Sequence, residues 1–264
     1  MSLHDYIGQQ QIVTELLSVS SGLKSRKVTS LNILLRSSPG MGKTLLAKQF
    51  AKSISSLYSY QVVKNSTLFD KKMATMQVHI IDEIHCDKNI ESLYPLMDAN
   101  KYVFIFCTTD SGELPDAFIS RCISLSFRDY TDSEMGKILY SYARRKQYNF
   151  TKDVCDLIAT YSRGSPRIGK QTLDRVALLI DRDYNANTVA GVKTALKNIG
   201  IYEGGYTDLD IRYLQTLEDR GRLSLDNLSR ILRIDKLTLT TQIEPFLIMR
   251  GDVSITSRGR QRVI

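Results

Sequence analysis

Apolar residues recur along the chain in two rhythms, and the change between them falls near Thr131. Before it, short apolar runs alternate with longer segments at helical spacing. Leu31-Asn32-Ile33-Leu34-Leu35, Val78-His79-Ile80-Ile81 and Tyr102-Val103-Phe104-Ile105-Phe106-Cys107 predict buried strands. Gln61-Val62-Val63 predicts a shorter one. Between the strands, Gln10 to about Lys24 and Thr44–Lys52 predict helices, the second with Leu46 and Phe50 on its apolar face. Lys24-Ser25-Arg26-Lys27 predicts a solvated turn, Thr67–Thr75 a short helix or loop, and Leu114–Cys122 a short helix.

After Thr131 helical spacing takes over. Glu134–Arg145, with Ile138, Leu139 and Tyr142 on a face, Asp153–Ser162 and Gln171–Asp183 predict three helices. Gly164-Ser165-Pro166-Arg167 interrupts them, with Pro166 presetting the turn and Arg167 in a first helical turn. Gly200–Gly205 reads as a linker. Asp208–Glu218, Ser224–Leu232 and Leu237–Arg250 predict three more helices, and Gly251–Ile255 and Arg260–Ile264 two short strands around Thr256–Gly259. Three helices and a hairpin predict a winged helix, which places Arg258, Arg260 and Arg262 in or beside the wing, open to phosphates. The other reading of those arginines is a basic, frayed C-terminus. The domains expected are an α/β nucleotide-binding domain over 1–130, a helical lid over 131–200 and a winged helix over 201–264.

Chemistry concentrates where the strands end. Ser37-Ser38-Pro39-Gly40-Met41-Gly42-Lys43-Thr44 follows a strand and opens a helix, the context of a phosphate-binding P-loop. Its backbone N–H groups can point at phosphate oxygens, with Lys43 reaching the β- and γ-phosphates and the Thr44 hydroxyl ligating magnesium. Ser37 stands where the pattern has its first glycine, which requires negative φ at that position. Asp82-Glu83 closes the second apolar run, so both acids lie at the carboxyl end of a parallel strand, where open α/β sheets carry ligands. Asp82 is expected to hold magnesium and Glu83 to polarise the attacking water. Thr108 and Thr109 end the third strand, either at the γ-phosphate or simply starting a turn. Arg121 could reach a neighbouring subunit's nucleotide, and Arg167 reads equally as a phosphate contact or a surface residue.

Composition narrows the class. With 264 residues, 42% hydrophobic and 24% charged, the chain can bury the cores of two or three domains. A net charge of +8 fits a polyanionic partner. Four scattered cysteines without a C-x-x-C pair predict reduced thiols and no zinc site. No signal-peptide-like or membrane-spanning run is visible, so a cytoplasmic protein is expected.

Taken together, these residues resemble the AAA+ ATPases and most closely the RuvB family of Holliday-junction branch-migration motors. The resemblance rests on Tyr6-Ile7-Gly8-Gln9, the P-loop, Ile81-Asp82-Glu83-Ile84-His85 and Leu93-Tyr94-Pro95-Leu96-Met97-Asp98. It continues through Thr108-Thr109, Ser162–Ile168, Glu244-Pro245-Phe246-Leu247 and Ser257-Arg258-Gly259-Arg260. It implies an α/β AAA+ P-loop domain with a helical lid and C-terminal winged helix, using ATP and Mg2+. It also implies adenine contacts from Tyr6 and Ile7, a sensor 1 at Thr108 or Thr109, Arg121 as an arginine finger in trans and Arg167 as sensor 2. A ring or spiral of subunits, commonly six, would act on duplex or branched DNA with little sequence preference. The chain departs from the family where Asp98 is followed almost at once by Tyr102, leaving no room for the hairpin that docks the RuvA partner. Ile255 replaces a wing arginine, and Leu114–Cys122 resembles clamp-loader ATPases. These residues fit a DNA-translocating motor first, then an ATP-switched loader or adaptor for a replicative helicase or clamp, of a phage or mobile element, and last a DNA-binding protein with a vestigial ATPase site, which the presence of Lys43, Asp82, Glu83 and Arg121 disfavours.

Overall fold

A computed structural model of the chain describes residues 2–25, 29–67, 69, 73–110, 112–180 and 188–263. The chain divides into two compact units: Met1–Ile138 with Gly164–Arg167, and Leu139–Arg163 with Ile168–Ile264.

The first unit is built on a parallel sheet. Among the described residues it holds β1 (Leu31–Arg36), β2 (Tyr58–Val62), β3 (Val78–Asp82), β4 (Val103–Thr108) and β5 (Ile123–Ser126), in the order β2-β3-β4-β1-β5. Alternate residues of each strand point to opposite faces, and both faces are covered. Ile33 and Leu35 pack with Leu16 of α1 (Gln10–Lys24) and with Leu46 and Phe50 of α2 (Lys43–Ile54). Leu34, Phe104 and Phe106 pack on the other face with Leu93, Met97 of α3 (Tyr94–Asp98) and Phe118 of α4 (Asp116–Ile119). Each fully buried side chain of this size contributes about 1.5–3 kcal/mol.

Two strands depart from expectation. β2 begins three residues before Gln61, because Tyr58, Ser59 and Tyr60 lie on an edge strand that is only partly buried and so carries no apolar run. β5 has no counterpart in the sequence pattern: it reads Ile-Ser-Leu-Ser, and only Leu125 is buried. Of the Thr67–Thr75 segment, Met73–Thr75 forms a 3-10 turn, whereas Leu68 and Asp70–Lys72 lie outside the described residues, as do Arg26 and Lys27 of the basic turn.

His79 is fully buried in β3, its ring 5.0–5.2 Å from those of Phe69, Tyr102 and Phe104, and its Nδ1 lies 2.7 Å from Ser59 Oγ. Burial pushes its pKa down from 6.5 to about 4. The unfolded chain therefore takes up the proton first, and stability present above pH 6.5 is lost as pH falls towards 4. At about 1.4 kcal/mol per pH unit, the loss between neutral pH and about pH 4.5 is on the order of 2 kcal/mol. Urea midpoints at the two pH values measure it. His79→Phe should flatten this acid slope, and an unchanged slope would place the sensitivity elsewhere.

The second unit is helical and ends in a hairpin. α5 (Asp132–Arg145) begins in the first unit and finishes here, followed by α6 (Lys152–Thr160), whose first turn is capped by Thr151 Oγ1 accepting from Val154 N. α7 (Pro166–Ile180) starts five residues before Gln171, with Pro166 at its first position. Residues 181–183 of the predicted helix are outside the described set. α8 (Val189–Asn198), which the sequence reading missed, is capped by Thr188. Gly200–Gly205 is more than a linker, since Glu203–Gly205 form a 3-10 turn and Ile201 bridges Thr207.

α9 (Asp208–Arg220) opens with a Thr207–Asp210 capping box, and α10 (Leu225–Leu232) is capped by Ser224. The predicted Leu237–Arg250 helix is broken into α11 (Lys236–Thr238), a π turn over Leu239–Ile243 and α12 (Glu244–Met249). Pro245 has no N–H to donate, so the hydrogen-bond ladder reorganises just before it. β6 (Val253–Thr256) and β7 (Gly259–Arg262) pair antiparallel, and Leu223 exchanges hydrogen bonds with Arg260 as a short third strand. Tyr213, Leu228, Leu232, Leu239, Phe246 and Leu247 form the core beneath this hairpin. Helices followed by such a hairpin make a winged helix. Arg163 Nη2 donates to fully buried Asp210 at 2.9 Å, and its guanidinium lies 3.8 Å from the Phe246 ring centroid.

Among the described residues, no helix is long and apolar enough to cross a membrane.

Candidate nucleotide site

The P-loop runs from the end of β1 into α2 at the carboxyl edge of the sheet. Ser37 is not among the residues with positive φ, so serine meets the backbone requirement there. Gly40 and Gly42 have φ of 82° and 100°, and both are also sterically required. A Cβ on Gly40 would lie 2.7 Å from Ser165 Oγ and 2.8 Å from Arg167 Cβ; one on Gly42 would lie 2.7 Å from the Tyr6 hydroxyl. The backbone thus forms a cradle that only glycine permits, and Arg167, itself exposed, rises beside it. Ser38 and Pro39 are exposed at the rim, and Met41 is buried beneath.

Lys43 Nζ donates to Ser37 O at 2.8 Å, Ser37 Oγ at 3.0 Å and Ser38 O at 3.2 Å. Burial holds its pKa below the usual lysine range, an effect opposed by Glu83 and Asp82 and reinforced by Arg167. Thr44 Oγ1 donates to Asp82 Oδ2 at 2.6 Å, and Glu83 N donates to Asp82 Oδ1 at 3.1 Å. Glu83 has φ 55°, a left-handed conformation that turns its carboxylate out of the strand. Thr109 Oγ1 donates to Glu83 Oε2 at 3.0 Å, and His85 Nδ1 lies 3.5 Å from the same oxygen. The two threonines separate here. Thr109 meets Glu83, whereas Thr108 is buried, donating to Asp110 O at 2.6 Å with His85 Nδ1 at 3.0 Å.

Tyr6 is buried against the loop, its hydroxyl 3.0 Å from Tyr130 Oη and 3.4 Å from Gly42 O; Ile7 is half-buried. Tyr130 donates to Met41 O at 2.8 Å and so completes a clamp on the outside of the P-loop. Sequence reasoning missed Tyr130 and, although it singled out Gln9, the Arg128 backbone that the Gln9 side chain brackets at 2.6 and 3.0 Å. Both partners lie more than a hundred residues from the opening segment, and no local pattern marks them.

Arg121 is tethered within its own subunit. Its Nε donates to both Asp98 carboxylate oxygens at 3.2 Å, its Nη1 donates to Ala117 O at 2.7 Å, and the guanidinium lies 4.6 Å from the Tyr94 ring centroid. Asn32 Nδ2 fixes the backbone there by donating to Arg121 O at 3.1 Å.

The three wing arginines are not equivalent. Arg258 is exposed at the hairpin turn. The expectation that Arg260 is open to phosphate is corrected: its Nε donates to buried Glu244 at 2.9 Å, and Tyr213 donates to the same oxygen at 2.9 Å. Arg262 is paired with Glu218.

A glycine-only cradle, an inward lysine and a hydroxyl–carboxylate pair at a strand end fit a nucleotide polyphosphate, with Thr44 and Asp82 as the hard oxygen donors that suit a magnesium ion. Comparison with known proteins agrees. Residues 1–114 match the family described as the Holliday junction DNA helicase RuvB P-loop domain, and residues 203–262 match the RuvB C-terminal winged helix domain. The RuvB subunit of the Holliday junction branch migration complex from a Nitratiruptor species is 29% identical over 293 positions, covering 98% of this chain and 87% of that protein. Its Mycoplasma genitalium counterpart is 24% identical over 288 positions, covering 97% and 92%. The solved Thermotoga maritima RuvB Holliday junction branch migration motor superposes with a TM-score of 0.81 at 26% identity, covering 99% of this chain and 94% of that one.

Proposed function

The chain belongs to the RuvB family, and from that premise we propose that it is a multimeric ATP hydrolase that remodels branched or duplex DNA. The observation that carries this reading is the Lys43, Thr44–Asp82 and Glu83–Thr109 constellation, in a chain that ends in a winged helix. Magnesium bound with ATP supplies charge compensation across the phosphates. Thr44 and Asp82 would hold that ion, and Lys43 would exchange the Ser37 and Ser38 oxygens for those of the β- and γ-phosphates. Glu83 orients and polarises the attacking water, and Thr109 fixes the rotation of that carboxylate, which makes Thr109 the sensor 1 residue. Tyr6 and Ile7 border the adenine, and Arg167, beside Gly40, offers a cation to the phosphates.

Arg121 acts on the nucleotide of the adjoining subunit in a six-membered ring or spiral, which requires it to leave Asp98. The wing meets DNA chiefly through Arg258, with Arg262 joining once released from Glu218, so binding is electrostatic, falls steeply with salt and has little sequence preference.

A loader of a helicase or clamp is the second reading, favoured by one feature. α3 passes into β4 through only Ala99–Tyr102, with Asn100 at φ 51°, so the chain has no hairpin at the position the family resemblance associates with RuvA. ATP turnover measured without DNA and with single-stranded, duplex and four-way-junction DNA tests the proposal. Stimulation by duplex or junction is the expected result, and turnover indifferent to all three would contradict it.

A further inference from the structure

Tyr60 lies on edge strand β2, two residues before Val62, which stands opposite Asp82 in the β2–β3 register. Such diagonal positions share a sheet face and are within reach of a long side chain. The Tyr60 hydroxyl donates to Asp82 Oδ2 at 3.3 Å, the same oxygen that accepts from Thr44 Oγ1 at 2.6 Å. On the ring face, Lys48 Nζ lies 3.8 Å from the centroid. Lys48 is four residues beyond Thr44 on α2, so both side chains leave the same helix face. Thr44 and Lys48 on the helix, with Tyr60 and Asp82 on adjacent strands, therefore close a four-residue frame around one carboxylate.

Packing alone does not account for Tyr60. Tyr60 is 40% exposed, so burial contributes little, yet its one side-chain donor is directed at a buried carboxylate. A phenol is protonated at neutral pH, so the Tyr60 hydroxyl can donate to that carboxylate. Rotation about the last torsion of an aspartate is broad and weakly restrained by itself. Glu83 N–H on Oδ1 and the Thr44 and Tyr60 hydroxyls on Oδ2 confine it to one orientation.

We propose that Tyr60 is a positioning residue for the magnesium site: it holds the Asp82 carboxylate in the rotation that presents it, beside the Thr44 hydroxyl, to the divalent cation. The proposal rests on the reading of Thr44 and Asp82 as that site. Tyr60→Phe keeps the ring and its Lys48 contact and removes only the hydroxyl. Loss of such an outer partner typically costs about 10-fold or more in metal affinity.

The test titrates Mg2+ against binding of a fluorescent ATP analogue and against turnover, in wild type and Tyr60→Phe, with binding in EDTA as the reference. The expected result is an unchanged affinity in EDTA and a Mg2+ half-point raised about 10-fold in both titrations. Lys48→Met, which loosens the ring but keeps the hydroxyl, should shift the half-point less and in the same direction. A Tyr60→Phe half-point equal to wild type overturns the role of Tyr60 and leaves the ATPase reading standing, and an equal loss with and without Mg2+ overturns it as well. A wild type whose nucleotide binding ignores Mg2+ altogether overturns the Thr44–Asp82 site, and this proposal with it.

Discussion

Replacing Glu83 by glutamine lowers ATP turnover by about 10³-fold while leaving nucleotide affinity unchanged. Glutamine keeps the length and planar shape of the side chain and can still accept from Thr109 Oγ1, so the site is not distorted. What it lacks is the negative charge that the proposed role requires to polarise the attacking water. Lys43, Thr44 and Asp82, assigned above to the phosphates and the metal, are untouched. Steady-state phosphate release measured beside equilibrium nucleotide binding separates the two effects. Turnover within about 10-fold of wild type would remove Glu83 from the general-base role.

The second large effect is on stability. Glu244→Ala should remove about 3–5 kcal/mol from the second unit, because it leaves Arg260 without its carboxylate and the fully buried Tyr213 hydroxyl without its acceptor. Tyr213, α12 and β7 are all joined at that one side chain, so the hairpin should loosen from the helices beneath it. Glu244→Gln keeps one oxygen that can accept from both Tyr213 Oη and Arg260 Nε, forfeits the Arg260 Nη2 bond to the second oxygen, and should lose less. Urea unfolding of the three proteins checks the ranking. Nucleotide binding should persist in Glu244→Ala while DNA binding weakens. A cost below about 1 kcal/mol would mean that the hairpin is held by its apolar core alone.

Both effects depend on pairings that the sequence discloses only in part. The P-loop and the Asp82-Glu83 pair were legible because each couples a short motif to an unmistakable apolar strand, and strand ends are where such sheets gather ligands. Serine at position 37 looked like a defect and is none, since its φ is not positive. The winged-helix segments were legible from helical spacing and a turn between two short strands.

Other features left no local trace. β5 is an edge strand with one buried residue, and β2 is partly exposed, so neither carries the run by which interior strands announce themselves. α8 follows a segment outside the described residues and was missed although it has an ordinary threonine cap. Tyr130 and Tyr6 meet across 124 positions, and Glu244 and Arg260 across 16. Three arginines in a row of alternate positions look alike in one dimension. Only their partners, Glu244 and Glu218, separate the exposed Arg258 from the two that are paired.

On the proposed function, hydrolysis at the Glu83 site drives remodelling of branched DNA. Displacement of strands from a labelled four-way junction, with ATP and Mg2+ at low salt, tests it most directly when wild type is run beside Glu83→Gln. The predicted result is displacement by wild type that disappears in Glu83→Gln, although both proteins bind the junction. Junction-stimulated turnover in wild type with no displacement would contradict the motor and leave the loader.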